Sequence, residues 1–227
     1  MRPTHTIETL LGSRSKLSVL RVLHGVAVPL NASQLARRTG LSWTAVSTVL
    51  DELAGMGVIN SSSAGRANIH SLNRENVYVT DLIDPLFAAE ERIPDRMLAD
   101  LTGTFESQAV AMVIFGSYAR GEQVSESDID VVIVAADTKA KDLAEETVDG
   151  YQAHFLSRYG APLSAIVYDA REASALPKTA PSFAAQLVDD ALVVFGPNPR
   201  DWSDLWQGER RCERASRRGA DGTRLTT

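Results

Sequence analysis

The 227-residue chain has one cysteine, Cys212. That excludes an internal disulfide and any cysteine-rich zinc site. The four histidines, at 5, 24, 70 and 154, form no ligand-spaced cluster. No hydrophobic run reaches the length of a membrane span, and the opening MRPTHTIETL lacks the apolar core of a signal peptide. A cytoplasmic protein without membrane contact is therefore expected. What the chain does have is ordinary for a globular protein, with 44% hydrophobic and 23% charged residues and enough length for two small cores. Charge is unevenly spread. Residues 1–75 hold 8 Lys/Arg against 4 Asp/Glu (+4), residues 76–198 hold 8 against 20 (−12), and residues 199–227 hold 7 against 5 (+2). A mildly basic first third and an acidic middle point to different partners for the two parts.

The stretch that organises the rest is Val113 to Val134, VIFGSYARGEQVSESDIDVVIV. An apolar run ends at Phe115, Gly116-Ser117 breaks it, and Ser127-Asp128-Ile129-Asp130 leads into a second run, Val131 to Val134. Side chains two apart on a strand share a face, so Asp128 and Asp130 are expected together, facing the Gly116-Ser117 turn. Paired carboxylates on a strand suit Mg²⁺, which takes its remaining ligands from water and substrate phosphates. A phosphate fits on the turn, where Gly116 allows close backbone approach and the Ser117 hydroxyl can donate. The spacing thus predicts a two-part site for a nucleoside triphosphate and its metal.

This stretch resembles the signature of the DNA polymerase beta type nucleotidyltransferases, in particular the minimal ones: Gly-Ser, an Ala-Arg-Gly-like turn, then Ser-Asp-x-Asp at the head of a strand. Gly116, Ser117, Ala119, Arg120, Gly121, Ser127, Asp128 and Asp130 all match. The resemblance implies catalytic and metal-holding roles for Asp128 and Asp130, nucleotide contacts from Gly116, Ser117 and Arg120, and transfer of a nucleoside monophosphate to an acceptor hydroxyl. Arg120 has a second reading, as a brace for the turn through Glu122. Ser127 reads as a cap at the strand entrance.

Members of that family carry a third carboxylate on a later strand, and the matching position here, in LSAIVY, is Ser164. Asp169 lies five residues on, roughly 16 Å along an extended strand and on its other face. Serine cannot act as a general base or lend a metal negative charge. Either two carboxylates suffice, with help from Glu122 or Glu126, or the domain binds a nucleotide without transferring it and serves as a regulator or antitoxin-like protein that senses nucleotide or binds a partner.

Residues 7–75 read as a winged helix-turn-helix. Leu17, Leu20 and Leu23 recur at helical spacing, Asn31 with Gln34 forms a capping-box pattern, and Gly40 ends the helix Ala32 to Thr39. Ser42 caps the helix Trp43 to Ala54, and a hairpin follows around a tip at Asn60 to Asn68. The order resembles winged-helix regulators of the arsenic-repressor and multiple-antibiotic-resistance type. That resemblance implies double-stranded DNA contacts by Ser42, Trp43, Thr44, Ser47 and Thr48, phosphate contacts by Arg37, Arg38 and Arg66, and a homodimer. The helix Trp43 to Ala54 carries no Lys or Arg but does carry Asp51 and Glu52. Backbone neutralisation supplies most nonspecific DNA affinity, so a role in docking a protein partner stays open.

The expected fold class is α+β, with a winged helix-turn-helix over 1–75, a helical connector over 76–105 with helix starts at its prolines, and a mixed sheet covered by helices over 106–198. In the helix Lys139 to Tyr159, Leu143, Tyr151, Phe155 and Leu156 are the expected core positions. Residues 199–227 read as a tail that includes Trp202 and Trp206 and is disordered beyond Gly208.

Overall fold

The computed structural model describes residues 6–65, 67–122 and 127–204. Arg66, Glu126, Trp206 and the segment beyond Gly208 lie outside the described residues. The chain divides into two compact units, Met1–Pro94 and Asp95–Thr227.

The first unit is a winged helix. Helices α1 (Thr6–Leu11) and α2 (Arg14–His24) precede a short strand β1 (Leu30–Asn31), then α3 (Ala32–Thr39), α4 (Trp43–Gly55), and the hairpin β2 (Ile59–Ala64) and β3 (Ala67–Leu72). Local chemistry sets the helix ends. The Asn31 side chain accepts from Gln34 N while the Gln34 side chain accepts from Asn31 N, both at 2.9 Å, closing the capping box. Gly40 ends α3 in the left-handed region at φ 70°, and Ser42 Oγ accepts from Ala45 N at 3.2 Å to start α4. The buried stripe Val46, Val49, Leu50 and Leu53 packs on Leu20, Leu23 and Leu35. The sheet order is β1-β3-β2, all antiparallel. The wing is longer in strand and shorter in tip than the sequence suggests. Ser61, Ser62 and Ser63 pair with His70, Ile69 and Asn68, because a polar exposed strand still satisfies its backbone in a ladder.

A π-helical turn, Val79–Ile83, runs into α5 (Asp84–Phe105). The expected helix start at Pro94 is absent, since one helix runs through it. A proline inside a helix costs about 3 kcal/mol through a lost bond and a clash with the preceding turn. The surrounding positions are solvent-exposed, where water can satisfy the freed carbonyl, while Phe87 on one side and Met97, Leu101 and Phe105 on the other are anchored in hydrophobic cores. Leu86, at the start of α5, is exposed.

The second unit is built on a four-stranded mixed sheet in the order β6-β5-β4-β7. Its strands are β4 (Ala109–Phe115), β5 (Ile129–Ala135), β6 (Leu163–Asp169) and β7 (Leu192–Phe195), with β5 and β6 parallel and the other pairs antiparallel. The helices are α6 (Gly116–Ala119), α7 (Thr138–Tyr159), α8 (Ala170–Thr179) and α9 (Pro181–Asp190), followed by a 3-10 turn, Pro199–Asp204. Alternation along the strands splits the core in two. Met112, Ile114, Ile129, Val131 and Ile133 pack with Leu101, Phe105 and Phe155, whereas Ala111, Val113, Val132 and Val134 pack with Ala173, Leu176, Leu187 and Trp202. Both faces are therefore covered, which is why β4 and β5 read as continuous apolar runs. On α7 the buried stripe is Ala144, Val148 and Phe155, and the expected core positions Leu143 and Leu156 are 50% and 48% exposed. Trp202 is buried against α8, where its indole N–H donates to Pro197 O at 3.0 Å and Ser174 Oγ donates to its carbonyl at 2.9 Å. No helix among the described residues is long and apolar enough to cross a membrane.

Candidate functional site

β4 delivers the turn and β5 the carboxylate. Phe115, the last residue of β4, pairs with Asp130, so the chain leaves the sheet at Gly116 directly beside the Asp130 side chain. Gly116 has φ +74°, and a β-carbon there would lie 2.5 Å from Asp130 Oδ2. Only glycine fits on both counts. Next to Asp130 on its other side is Ser164, its register partner in the parallel pair. Parallel partners share a face, so the hydroxyl of Ser164 and the carboxylate of Asp130 stand on the same side of the sheet, with Val132 and Tyr168 further along it.

Asp128 sits differently from the expectation of two strand carboxylates. β5 starts at Ile129, so Asp128 precedes it and is exposed, whereas Asp130 is half-buried within the strand. Ile129 takes up the first ladder position, its N–H donating to Pro162 O at 2.8 Å. Neither the Asp128 nor the Asp130 side chain makes a hydrogen bond or ion pair with another described residue. Such open carboxylates beside a glycine cradle form a donor set that fits a hard divalent cation with its own water and phosphate ligands. Among the described residues no three His, Cys, Asp or Glu side chains gather tightly enough to form a protein-only metal cage.

Ser117 is half-buried in α6, and its carbonyl accepts from Glu122 N at 2.9 Å, which closes the loop after the helix. Arg120 faces two carboxylates: its Nε donates to Glu122 Oε2 at 2.9 Å and its guanidinium lies 3.9 Å from Asp190 on α9. The hydrogen bond to Glu122 and the nearby charges raise its already high pKa. This is the bracing arrangement, tying the turn to α9. Asp190 was not readable from the sequence, because it lies 70 positions away with no local pattern linking it to Arg120. The half-buried Tyr118 was also missed. Burial, and secondarily the charge of Asp95, raise the pKa of its phenol and keep it protonated. Asp169, set aside as a third carboxylate, caps α8 at the opposite end of the sheet, where it pairs with Ala135.

The remaining sequence-derived positions belong to the first unit. Arg37 and Arg38 are exposed in the last turn of α3, and Trp43, Thr44 and Thr48 are exposed on α4, with Ser47 half-buried. The Ser42 hydroxyl is used as the cap of α4, and Thr48 Oγ1 donates to Thr44 O at 3.1 Å. Arg66 lies outside the described residues.

Comparison with known proteins places this geometry. Residues 102–193 match the nucleotidyltransferase domain family. Two proteins of Methanocaldococcus jannaschii, named as provisional protein adenylyltransferases, are 31% identical over 88 residues (36% of this chain) and 32% identical over 78 residues (34% of this chain). The chain spans 56% of the length of the first and 72% of the second. Among solved structures, a toxin-antitoxin with AMP-PNP is 18% identical, and the match covers 54% of this chain and 94% of that one with a TM-score of 0.33. A superposition at that score says nothing about activity.

Proposed function

The chain belongs to the nucleotidyltransferase domain family, and on that premise we propose that its second unit transfers a nucleoside monophosphate from an NTP to an acceptor hydroxyl, releasing pyrophosphate. The observation that carries this reading is the close approach of Gly116 to Asp130, which leaves room beside an open carboxylate where any other residue would fill it. Asp130, with Asp128 at the strand entrance, would hold Mg²⁺. The chemistry supplied there would be polarisation of the reacting phosphate and stabilisation of the leaving group. Gly116 admits the phosphates to the backbone of the turn, and the Ser117 hydroxyl donates to them. Arg120 fixes the turn through Glu122 and Asp190. The names of the relatives favour ATP as donor and a protein hydroxyl as acceptor; RNA and small-molecule hydroxyls satisfy the same chemistry. The first unit would bring the transferase to double-stranded DNA through Arg37, Arg38, Ser42, Trp43, Thr44, Ser47 and Arg66, as a homodimer or with a protein partner.

Ser164 favours a second reading. A serine in register with Asp130, where a base for the acceptor proton would stand, leaves the acceptor without one. Losing a general base typically slows transfer by about 10²–10⁴-fold. On this reading the domain holds nucleotide as a sensor within a regulator or antitoxin-like protein.

Purified full-length protein incubated with each α-labelled NTP and Mg²⁺, alone and with cell extract, separates the two. Label on a macromolecule that disappears in Asp130→Asn supports transfer. Saturable NTP binding that needs Asp130 but leaves no label anywhere supports the sensor, and no NTP binding at all defeats both.

A further inference from the structure

A groove of about 360 Å³ opens in the first unit where the starts of α3 and α4 meet the wing strand β3. Its lining is unusual for a face expected to meet nucleic acid. Among the described residues that line it there is no lysine or arginine, and the one carboxylate is Asp51. Trp43 lies along it with 59% of its surface exposed, an aromatic kept out of the core. His70 is the one buried polar residue among those described, at 9% exposure, and shares a hydrogen bond of 2.9 Å with Ser61 Oγ. Burial lowers the His70 pKa, against the opposing pull of Asp51, so the imidazole stays uncharged near neutrality and does not balance the carboxylate. The side chains of Trp43, Asp51 and Asn68 make no hydrogen bond or ion pair with another described residue, whereas Asn31 is already engaged in capping α3.

We propose that this groove is a binding site for a small organic cation, a flat amidinium or aromatic amine, held by the indole face of Trp43 and the carboxylate of Asp51. The chemistry selects for positive charge twice. The indole face attracts a cation through its quadrupole, and Asp51 supplies the counter-charge. Asn68 offers an amide oxygen to N–H donors, and buried Leu50 gives the groove an apolar surface for a ring. The volume stands at the small end of ligand cavities, which suits a single substituted ring. A phosphate group would meet Asp51 with no cation among the described lining residues to offset it. This site is independent of the transfer chemistry on the second unit.

Benzamidine serves as the probe and benzoate, of the same shape and opposite charge, as the control. Calorimetric titration of the full chain is expected to give saturable 1:1 binding of benzamidine and none of benzoate, with the Trp43 indole N–H resonance shifting as the site fills. Asp51→Asn and Trp43→Ala each weaken benzamidine roughly fivefold. Both residues are exposed, and circular dichroism checks that each variant keeps the wild-type fold. Equal binding of the two probes, no binding of either, or unchanged affinity in both variants overturns the proposal. So does a short DNA duplex at low salt that shifts the Trp43 resonance where benzamidine does not, since the groove would then serve nucleic acid.

Discussion

At the C-terminal ends of β5 and β6, Asp137 accepts from Ala140 N at 2.8 Å to start α7, and Asp169 accepts from Glu172 N at 2.7 Å to start α8. Glu172 in turn accepts from Asp169 N at 3.0 Å and from Lys141 Nζ at 2.7 Å, while Thr138 Oγ1 donates to Asp169 at 3.3 Å. At the other end of the same two strands, Asp128 and Asp130 have no such partner among the described residues, and Gly116 keeps a space beside Asp130. One end uses its carboxylates to hold the fold, and the other keeps its carboxylates out of such bonds among the described residues. Water meets these exposed and half-buried carboxylates, and on the proposed function it gives way there to a cation and its phosphates.

Substitution of the carboxylates tests this contrast most severely. Asp130→Asn removes the charge without changing shape, and several kcal/mol of transition-state stabilisation go with it, so label transfer from α-labelled NTP should fall roughly a hundredfold or more. Thermal stability should stay within about 0.5 kcal/mol, since no internal bond is lost. If Asp130→Asn instead unfolds the domain, the open end is structural after all.

Gly116→Ala should come next. Its β-carbon would press on Asp130 Oδ2 from 2.5 Å, and the backbone at φ +74° would be strained besides. A cost of about 1–2 kcal/mol in stability is expected from the left-handed conformation alone. NTP affinity measured by titration should drop by about tenfold or more as the carboxylate is displaced.

Ser164→Asp places a second carboxylate beside Asp130 in register. Like charges on paired strand positions destabilise by up to about 1 kcal/mol, so melting in chelator should be lower than wild type. Added Mg²⁺ should restore it, because a cation shared by the two carboxylates offsets their repulsion. Melting that is lower by the same amount with and without Mg²⁺ would show that this end of the sheet does not gather cations.

Much of this contrast was legible in the chain. The Gly116-Ser117 break and the strand that carries Asp130 follow from period-two alternation and turn chemistry, which are local, and the position of Ser164 follows from the family resemblance. The Asn31–Gln34 capping box and the Gly40 stop are local as well. What escaped was set by distant partners. Asp128 looked equivalent to Asp130, yet the strand begins one residue later, since the ladder starts at the bond from Ile129 N to Pro162 O. Arg120 presented two roles, and its approach to Asp190 on α9 could not be read from the chain. Leu143 and Leu156 are more apolar than Ala144 and Val148, but α7 presents the smaller pair to the core, and hydrophobicity alone does not choose among adjacent stripes of a long helix. Pro94 read as a helix start because the penalty of an internal proline is local while the buried anchors that offset it are not.

The smallest effects belong to the closed end, and they complete the comparison. Asp169→Ala deletes the cap of α8 and the reciprocal bond to Glu172, so about 1 kcal/mol of stability should be lost, with NTP transfer unchanged. Lys141→Met removes one partner of a pair whose side chains are partly exposed, and an ion pair of that kind contributes less than about 1 kcal/mol. Its hydrogen bond to Glu172 and the nearby acids raise the Lys141 pKa, so this contribution is fully present below the ordinary lysine value of 10.5 and is lost as pH rises through the higher native one. The stability difference between wild type and Lys141→Met should therefore be flat from neutral pH to about 10 and shrink above it. Urea unfolding across that range measures both, and an equal loss of transfer in either variant would mean that the two ends of the sheet are coupled rather than divided in their work.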